Sequence, residues 1–154
     1  MKKVNVFNNT DYDIDLNIYR YFLYNAVKVA DIDGEVNLVF SNDDYIRGLN
    51  KQFRNKDKAT DVLTFPMGEA KDGGDIVISY EWVLDRYSED KIKMTVIKLI
   101  VHSILHLQGI HHNYTEKSLK KNYKRMRELY KKIIEHMKGN YNNANKKDIK
   151  KNNE

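Results

Sequence analysis

The sequence predicts a single α+β domain in which a small mixed four-stranded sheet packs with about five helices. Its length of 154 residues suits one hydrophobic core. Its composition, 41% hydrophobic and 32% charged, is typical of a globular protein. The predicted strands and helices lack the regular alternation of a doubly wound sheet. We expect the domain to span residues 1–138, followed by a disordered tail rich in asparagine and lysine at 139–154.

The N-terminal part contains two predicted strands and two predicted helices. Residues 4–7 alternate between apolar and polar, as in a short strand. Residues 15–30 place apolar side chains on one stripe at helical spacing, and residues 35–40 form the second predicted strand. Ser41 resembles an N-cap, so the next helix is expected to continue to about Phe53.

The middle of the chain contains two further strands and a short helix. Residues 61–65 form a predicted strand that ends at Pro66, the only proline. A turn with two glycines leads into the fourth strand at residues 75–78, and a short helix is expected at about 80–86.

Two long helices complete the prediction. Ser88 offers an N-cap for a helix at about 91–108, which Gly109 ends. Asn113 resembles the cap of a basic helix that continues to about Met137.

Charge is unevenly distributed along the chain. Residues 1–112 contain 14 basic and 17 acidic groups, whereas residues 113–154 contain 13 and 5. The basic C-terminal third is typical of a protein that binds a polyanion such as nucleic acid. A solvated, lysine-rich helix face explains the same composition, so charge alone leaves both interpretations open.

Several classes of site and location are disfavoured by what the sequence lacks. It contains no cysteine, which excludes disulfides, thiolate zinc sites and cysteine nucleophiles. It has no apolar run long enough to cross a membrane and no secretory signal, so we expect a cytoplasmic protein without membrane contact. We also expect no small-molecule organic cofactor.

Four histidines lie within eleven residues. His102 and His106 are one helical turn apart and therefore share a helix face. Gly109 lets the chain fold back, so His112 can supply a third ligand. Three imidazoles without a fourth protein ligand describe an open, catalytic zinc site at the C-terminal end of a central helix, with one Zn²⁺ per chain. His111 is expected to orient a neighbouring group, to replace His112 as ligand, or to be exposed.

The residue after the first histidine argues against a peptidase. Zinc proteases with this spacing carry a glutamate there as general base. Ser103 occupies that position and cannot take this role.

A polar segment at residues 50–66 precedes and includes the third predicted strand. Arg54 offers a planar guanidinium suited to phosphate. By themselves, Arg54 and Asp57 also fit ordinary loop residues, and Asp61 fits a turn at the start of a strand.

Together, the polar segment and the histidines resemble the YbeY family of bacterial rRNA-maturation endoribonucleases. That family pairs N-x-x-[YF]-R-x-x-D-x-x-T-D-V-L-S-F-P with a later H-G-x-L-H-L-x-G-Y-D-H. Residues 50–66 and 102–112 match these motifs, and residues 74–76 match a G-D-I strand between them. The sequence departs from the family pattern at Ser103, which replaces a glycine, and at Ile110 and His111, which replace the usual tyrosine and aspartate. Ala59 also replaces a common proline.

The resemblance implies a metal-dependent, single-strand-selective endoribonuclease that matures small-subunit ribosomal RNA and takes part in ribosome quality control. Its partners would be that RNA and the small ribosomal subunit with its associated proteins. Arg54 would neutralise phosphoryl charge, and Asp57, Asp61 and His111 are candidates for moving protons or orienting ligands. The basic helix would guide the RNA through its cationic side chains, Lys117, Lys120, Lys121, Lys124 and Arg125.

Two other functions compete with this one. A non-catalytic, ribosome-associated RNA-binding protein would keep the basic surface but tolerate loss of the histidines. A zinc peptidase is the rival enzyme, which Ser103 disfavours.

Overall fold

Four strands and five helices follow one another in the computed structural model, which describes residues 2–111 and 114–153. In chain order they are β1 (Val4–Asn8), α1 (Leu16–Val29), β2 (Val36–Ser41), α2 (Asp43–Arg54), β3 (Val62–Pro66), β4 (Gly74–Ser79), α3 (Tyr80–Arg86), α4 (Glu89–Leu107) and α5 (Glu116–Asn152). This is the predicted α+β domain, with a mixed four-stranded sheet and five helices. No helix in the described ranges is both long and apolar enough to cross a bilayer.

The sheet has the strand order β1-β2-β4-β3. Strands β1, β2 and β4 are parallel to their neighbours, whereas β3 runs antiparallel to β4 and forms one edge. Alternation along β4 sends Ile76 and Ile78 to one face and Val77 to the other, because successive strand side chains point in opposite directions. Both faces of this strand are therefore covered.

The main core fills the space between one sheet face and helices α1, α4 and α5. A smaller cluster of Ile46, Leu63 and Val77 joins α2 to the opposite face. Helix α4 contributes nine buried residues and contacts β3 and β4. Its C-terminal end is therefore held beside the β3 edge, where the predicted metal ligands lie.

Two helix caps differ from the sequence prediction. Asn42, not Ser41, caps α2: the Asn42 side chain accepts from the Tyr45 amide at 2.9 Å. Ser41 still belongs to β2 and is buried, so its hydroxyl is not available to the helix. Asn113, the predicted cap of the basic helix, lies outside the described residues, and Thr115 caps α5 by accepting from the Ser118 amide at 3.3 Å.

Helix α5 is longer than the sequence predicted. It continues to Asn152, where a helix end near Met137 and a disordered tail at 139–154 were expected. The physical reason is that Gly139 costs an established helix only about 1 kcal/mol and no proline follows it. Residues 139–153 are exposed throughout and add nothing to the core. Residues 1–138 as the functional unit remain a prediction.

Candidate metal centre

His102 and His106 face each other across one turn of α4. Their Nε2 atoms are 2.9 Å apart and their ring centroids 4.4 Å apart. Two nitrogens bound to one zinc ion at a tetrahedral angle would lie about 3.3 Å apart, given Zn–N bonds of about 2.0–2.1 Å. The two imidazoles thus converge closely enough to share a cation.

The end of α4 turns the chain back toward these histidines. The Gly109 amide donates to the His106 carbonyl and the Ile110 amide to the Leu105 carbonyl, both at 3.0 Å. This is a Schellman motif, and Gly109 has the left-handed φ of 81° that it requires. Gly109 therefore ends the helix as predicted. The reversal places Nδ1 of His111 3.2 Å from Nδ1 of His106.

The contact with His111 also suits metal binding by His106. An imidazole that binds a metal through Nε2 carries its proton on Nδ1, and that N–H needs an acceptor. His111 Nδ1 occupies the acceptor position. The third predicted ligand, His112, lies outside the described residues. Within residues 2–111 and 114–153, no three histidine or carboxylate side chains gather closely enough to hold a metal ion.

A polar cleft of about 450 Å³ opens in front of the histidines. His102, His106 and His111 line one side, and Arg54, Lys56 and Lys58 are among the residues that line the rest. Among its described lining residues there is no carboxylate. The cleft therefore presents several fixed positive charges to an incoming anion.

Local structure at the end of α2 places these cations. Asn55 adopts a left-handed conformation that ends the helix, and the buried Asn50 side chain donates to the Lys58 carbonyl at 2.9 Å. Arg54 Nη2 donates to the Thr64 carbonyl of β3 at 3.0 Å. These bonds fix the loop after α2 against the edge strand, so Arg54, Lys56 and Lys58 reach the same cleft.

The two predicted aspartates occupy different places. Asp57 does not line the cleft; it pairs at 2.8 Å with Arg47, on the exposed side of α2. The Arg47 hydrogen bond and charge hold the pKa of Asp57 below its ordinary value. Asp61 Oδ1 accepts from the Val62 amide at 2.7 Å at the start of β3. Asp61 lines a second cavity, which also contacts His102.

The five predicted cationic residues of α5 lie on its first three turns. Lys117, Lys120, Lys121 and Lys124 are exposed, and Arg125 is half-buried. Lys120 pairs with Glu116 at 3.1 Å. None of the five lines the cleft, although Tyr114, just before the helix, does. They can extend the positive surface beyond the cleft but do not form its wall.

Sequence reasoning did not select Lys56, Lys58 or Tyr114 as site residues. Lys56 and Lys58 lie within the matched segment, between Arg54 and Asp61, so their position was a usable signal. Tyr114 had no such signal, because its place depends on how the chain leaves α4.

Ser103 is fully buried within α4. Its hydroxyl has no hydrogen-bond partner among the described residues. It therefore cannot activate a water molecule in the cleft, which agrees with the argument against a peptidase.

Comparison with known proteins identifies relatives of one kind. The family model described as Endoribonuclease YbeY matches residues 6–138. A protein of that name from Nautilia profundicola is 41% identical over 114 residues, which cover 68% of this chain and 75% of the relative. Another, from Persephonella marina, is 32% identical over 132 residues, covering 77% and 86%. The match to a third, from Koribacter versatilis, is 40% identical but spans only 61% of that protein.

A solved structure has a similar fold. The solution structure of TM1509 from Thermotoga maritima superposes with a TM-score of 0.55 and 24% sequence identity. The alignment covers 89% of this chain and 93% of the other. At this level of identity, the similarity concerns the fold alone.

Proposed function

The chain belongs to the YbeY endoribonuclease family, and we propose that it is a zinc-dependent endoribonuclease that cleaves single-stranded RNA. We propose further that its substrate is small-subunit ribosomal RNA, in maturation and ribosome quality control. The observation that carries the proposal is the convergence of His102 and His106, 2.9 Å apart at Nε2, in the same cleft as Arg54. The two candidate metal ligands and an arginine suited to phosphate thus line the same cleft.

The donor set fits zinc. His102 and His106 would hold the ion through Nε2, and His112 would be the third ligand. A bound zinc ion supplies Lewis-acid chemistry, polarising a phosphoryl oxygen and activating water toward a phosphodiester. Imidazole ligands suit zinc better than magnesium, which prefers oxygen.

The remaining residues of the cleft bind and orient the RNA. Arg54 keeps one N–H on the Thr64 carbonyl and has further N–H groups to donate to phosphoryl oxygens. Lys56 and Lys58 add positive charge for the neighbouring phosphates. Arg54 therefore stabilises the charge that grows on the phosphoryl group during cleavage.

His111 and Asp61 lie beside the two histidines. If His106 binds a metal through Nε2, its Nδ1–H can donate a hydrogen bond to Nδ1 of His111, which would fix the ring orientation and the tautomer. Asp61 lies beside His102 on the opposite side from the cleft and can orient the RNA that passes there. Asp57 is tied to Arg47 and does not line the cleft, so we assign it no role in cleavage.

The test is cleavage of a labelled single-stranded RNA, with a duplex of the same sequence and casein as alternative substrates. We expect cleavage of the single strand alone. A complementation experiment separates the endoribonuclease from a non-catalytic RNA-binding protein. A His102→Ala/His106→Ala double variant is expressed in cells that lack the native protein. Loss of rescue supports the enzyme, whereas full rescue supports a non-catalytic RNA-binding protein.

A further inference from the structure

A second cavity, of about 280 Å³, lies on the other side of His102. His102 and Val62 line both this cavity and the cleft. Its far wall is formed by α4 and the first turns of α5, and Tyr87 lies at its rim. We call it the Asn122 groove, after the most buried polar residue that lines it. The cleft and the Asn122 groove therefore adjoin at these two shared residues.

The Asn122 side chain is poorly satisfied for a buried amide. It is 5% exposed, and its Nδ2 donates to the Met126 sulfur at 3.5 Å, a weak acceptor. Its carbonyl Oδ1 is not one of the fully buried side-chain atoms without a partner, a group that in the described residues contains only the Ser103 hydroxyl. The Asn122 amide lines the cavity, so its weakly used donor and its carbonyl can bind a polar ligand there.

Two tyrosines border the same groove. Tyr87 is 46% exposed and Tyr123 is 56% exposed, so their rings are available to a flat ligand. Exposed aromatic rings are the usual stacking surfaces for unpaired nucleobases. Lys98 is exposed on α4 at the same groove and can pair with a phosphate.

We propose that the Asn122 groove binds the nucleobase next to the scissile phosphate. The Asn122 amide offers one donor beside one acceptor, and this pair matches an adjacent acceptor and donor on the edge of an unpaired base. Tyr123 stacks on the base, and Lys98 contacts its phosphate. The position of this base relative to the scissile bond rests on the proposed function, whereas binding of the base itself does not.

The experiment uses the full chain and two readouts. The first is NMR titration with the free nucleosides adenosine, cytidine, guanosine and uridine, following the Asn122 and Tyr123 signals. Free nucleosides lack the phosphate that would direct them to the cleft, and their binding requires no cleavage. The second is cleavage of short single-stranded RNAs that carry either a base or an abasic site next to the cleaved bond; we expect slower cleavage of the abasic RNA.

The variants separate hydrogen bonding from stacking. Asn122→Leu keeps the size but removes the amide, and we expect nucleoside binding to weaken by about tenfold. Tyr123→Ala removes the ring and should weaken binding of every base by about tenfold, whereas Tyr123→Phe keeps it. Tyr123 is exposed, so its variants test the groove even if Asn122→Leu does not fold.

Unchanged nucleoside binding in folded Asn122→Leu, or in Tyr123→Ala, overturns the proposal. Nucleoside binding in the groove by a chain that cleaves no RNA would leave the groove as a base site and reject the enzyme. Cleavage of RNA without any shift of the Asn122 and Tyr123 NMR signals would support the enzyme and reject the groove as a base site.

Discussion

Arg54 and Thr64 join the end of α2 to the edge strand β3: the Arg54 guanidinium donates to the Thr64 carbonyl at 3.0 Å. The Arg54 guanidinium also lies 5.9 Å from the centre of the Phe65 ring. A side chain held in this way approaches a phosphate without first losing much rotational freedom. Arg54 is therefore preorganised for phosphoryl charge.

Replacing Arg54 with alanine should slow RNA cleavage by about a hundredfold or more, the usual cost of one donor to a developing negative charge. Zinc content should not change, because Arg54 does not belong to the histidine group. Arg47→Ala is the matched control: it removes an arginine from the same helix, on the exposed side where Arg47 pairs with Asp57. Steady-state cleavage and metal analysis of both variants check the prediction. Equal rates for Arg54→Ala and wild type, or loss of zinc, would contradict it.

Local patterns were enough to predict the elements of the fold. Helical spacing in residues 15–30 and the Schellman glycine at 109 depend on neighbours in sequence, and the structure confirms both. The strand order and the antiparallel direction of β3 were not predicted, because they depend on pairing between distant segments. The full length of α5 was not predicted, because the disordered tail was inferred from the polar composition of residues 139–154. A polar composition indicates that residues are exposed, but it does not determine whether their backbone is helical.

The candidate site was predictable only in part, for a similar reason. The i,i+4 spacing brings His102 and His106 together whatever the rest of the fold does. The pairing of Asp57 with Arg47 depends instead on the conformation of the turn after α2. Residue spacing along the sequence does not predict that conformation. The Asn122 groove forms where α4, α5 and the loop at Tyr87 meet. Because these segments are distant in sequence, the groove could not be predicted from local patterns.

Ser103→Ala should raise the free energy of unfolding by about 1 kcal/mol, because it removes a buried hydroxyl that has no partner among the described residues. Ser79→Ala is the matched control. Ser79 is equally buried, but its hydroxyl donates to Asp43 at 2.7 Å and accepts from the Trp82 amide at 3.2 Å. Its loss should cost about 1–2 kcal/mol. Urea unfolding measures both, and a loss of stability in Ser103→Ala as large as that in Ser79→Ala would reject this explanation.

Alkaline pH should destabilise the fold through Tyr19. Burial, followed by the charges of Tyr80 and Asp15, raises the pKa of Tyr19 to about 12, against about 10 for an unfolded tyrosine. Because the folded pKa is higher, the stabilisation by the neutral hydroxyl is complete below pH 10 and is lost as the pH rises toward 12.

Urea unfolding between pH 9 and 11.5 tests the Tyr19 prediction. The free energy of unfolding should fall more steeply with pH for the wild type than for Tyr19→Phe, by at most about 1.4 kcal/mol per pH unit. Tyr141→Phe, which changes an exposed tyrosine, should follow the wild type. Parallel curves for wild type and Tyr19→Phe would show that Tyr19 does not cause the loss.

The cations at the start of α5 should contribute to RNA affinity through charge alone. Lys121→Ala/Lys124→Ala should lower the slope of log affinity against log salt by about 1.4, since each phosphate contact to single strands adds about 0.7. Lys2→Ala/Lys3→Ala is the control, because β1 forms the sheet edge opposite β3. Fluorescence anisotropy at several salt concentrations measures the slopes. An unchanged slope in the α5 variant would place the RNA elsewhere.

The central claim is that His102 and His106 hold a zinc ion that RNA cleavage requires. The most direct test measures zinc content and cleavage of single-stranded RNA on the same preparations. The proteins compared are wild type, His106→Ala and His136→Ala. His136 is the control, because it lies on α5 with its Nε2 3.3 Å from the Asn140 amide nitrogen. We predict one zinc per chain and full activity in wild type and His136→Ala, and loss of both in His106→Ala. A His106→Ala protein that cleaves RNA at the wild-type rate, or a wild type that binds no zinc, would contradict the account.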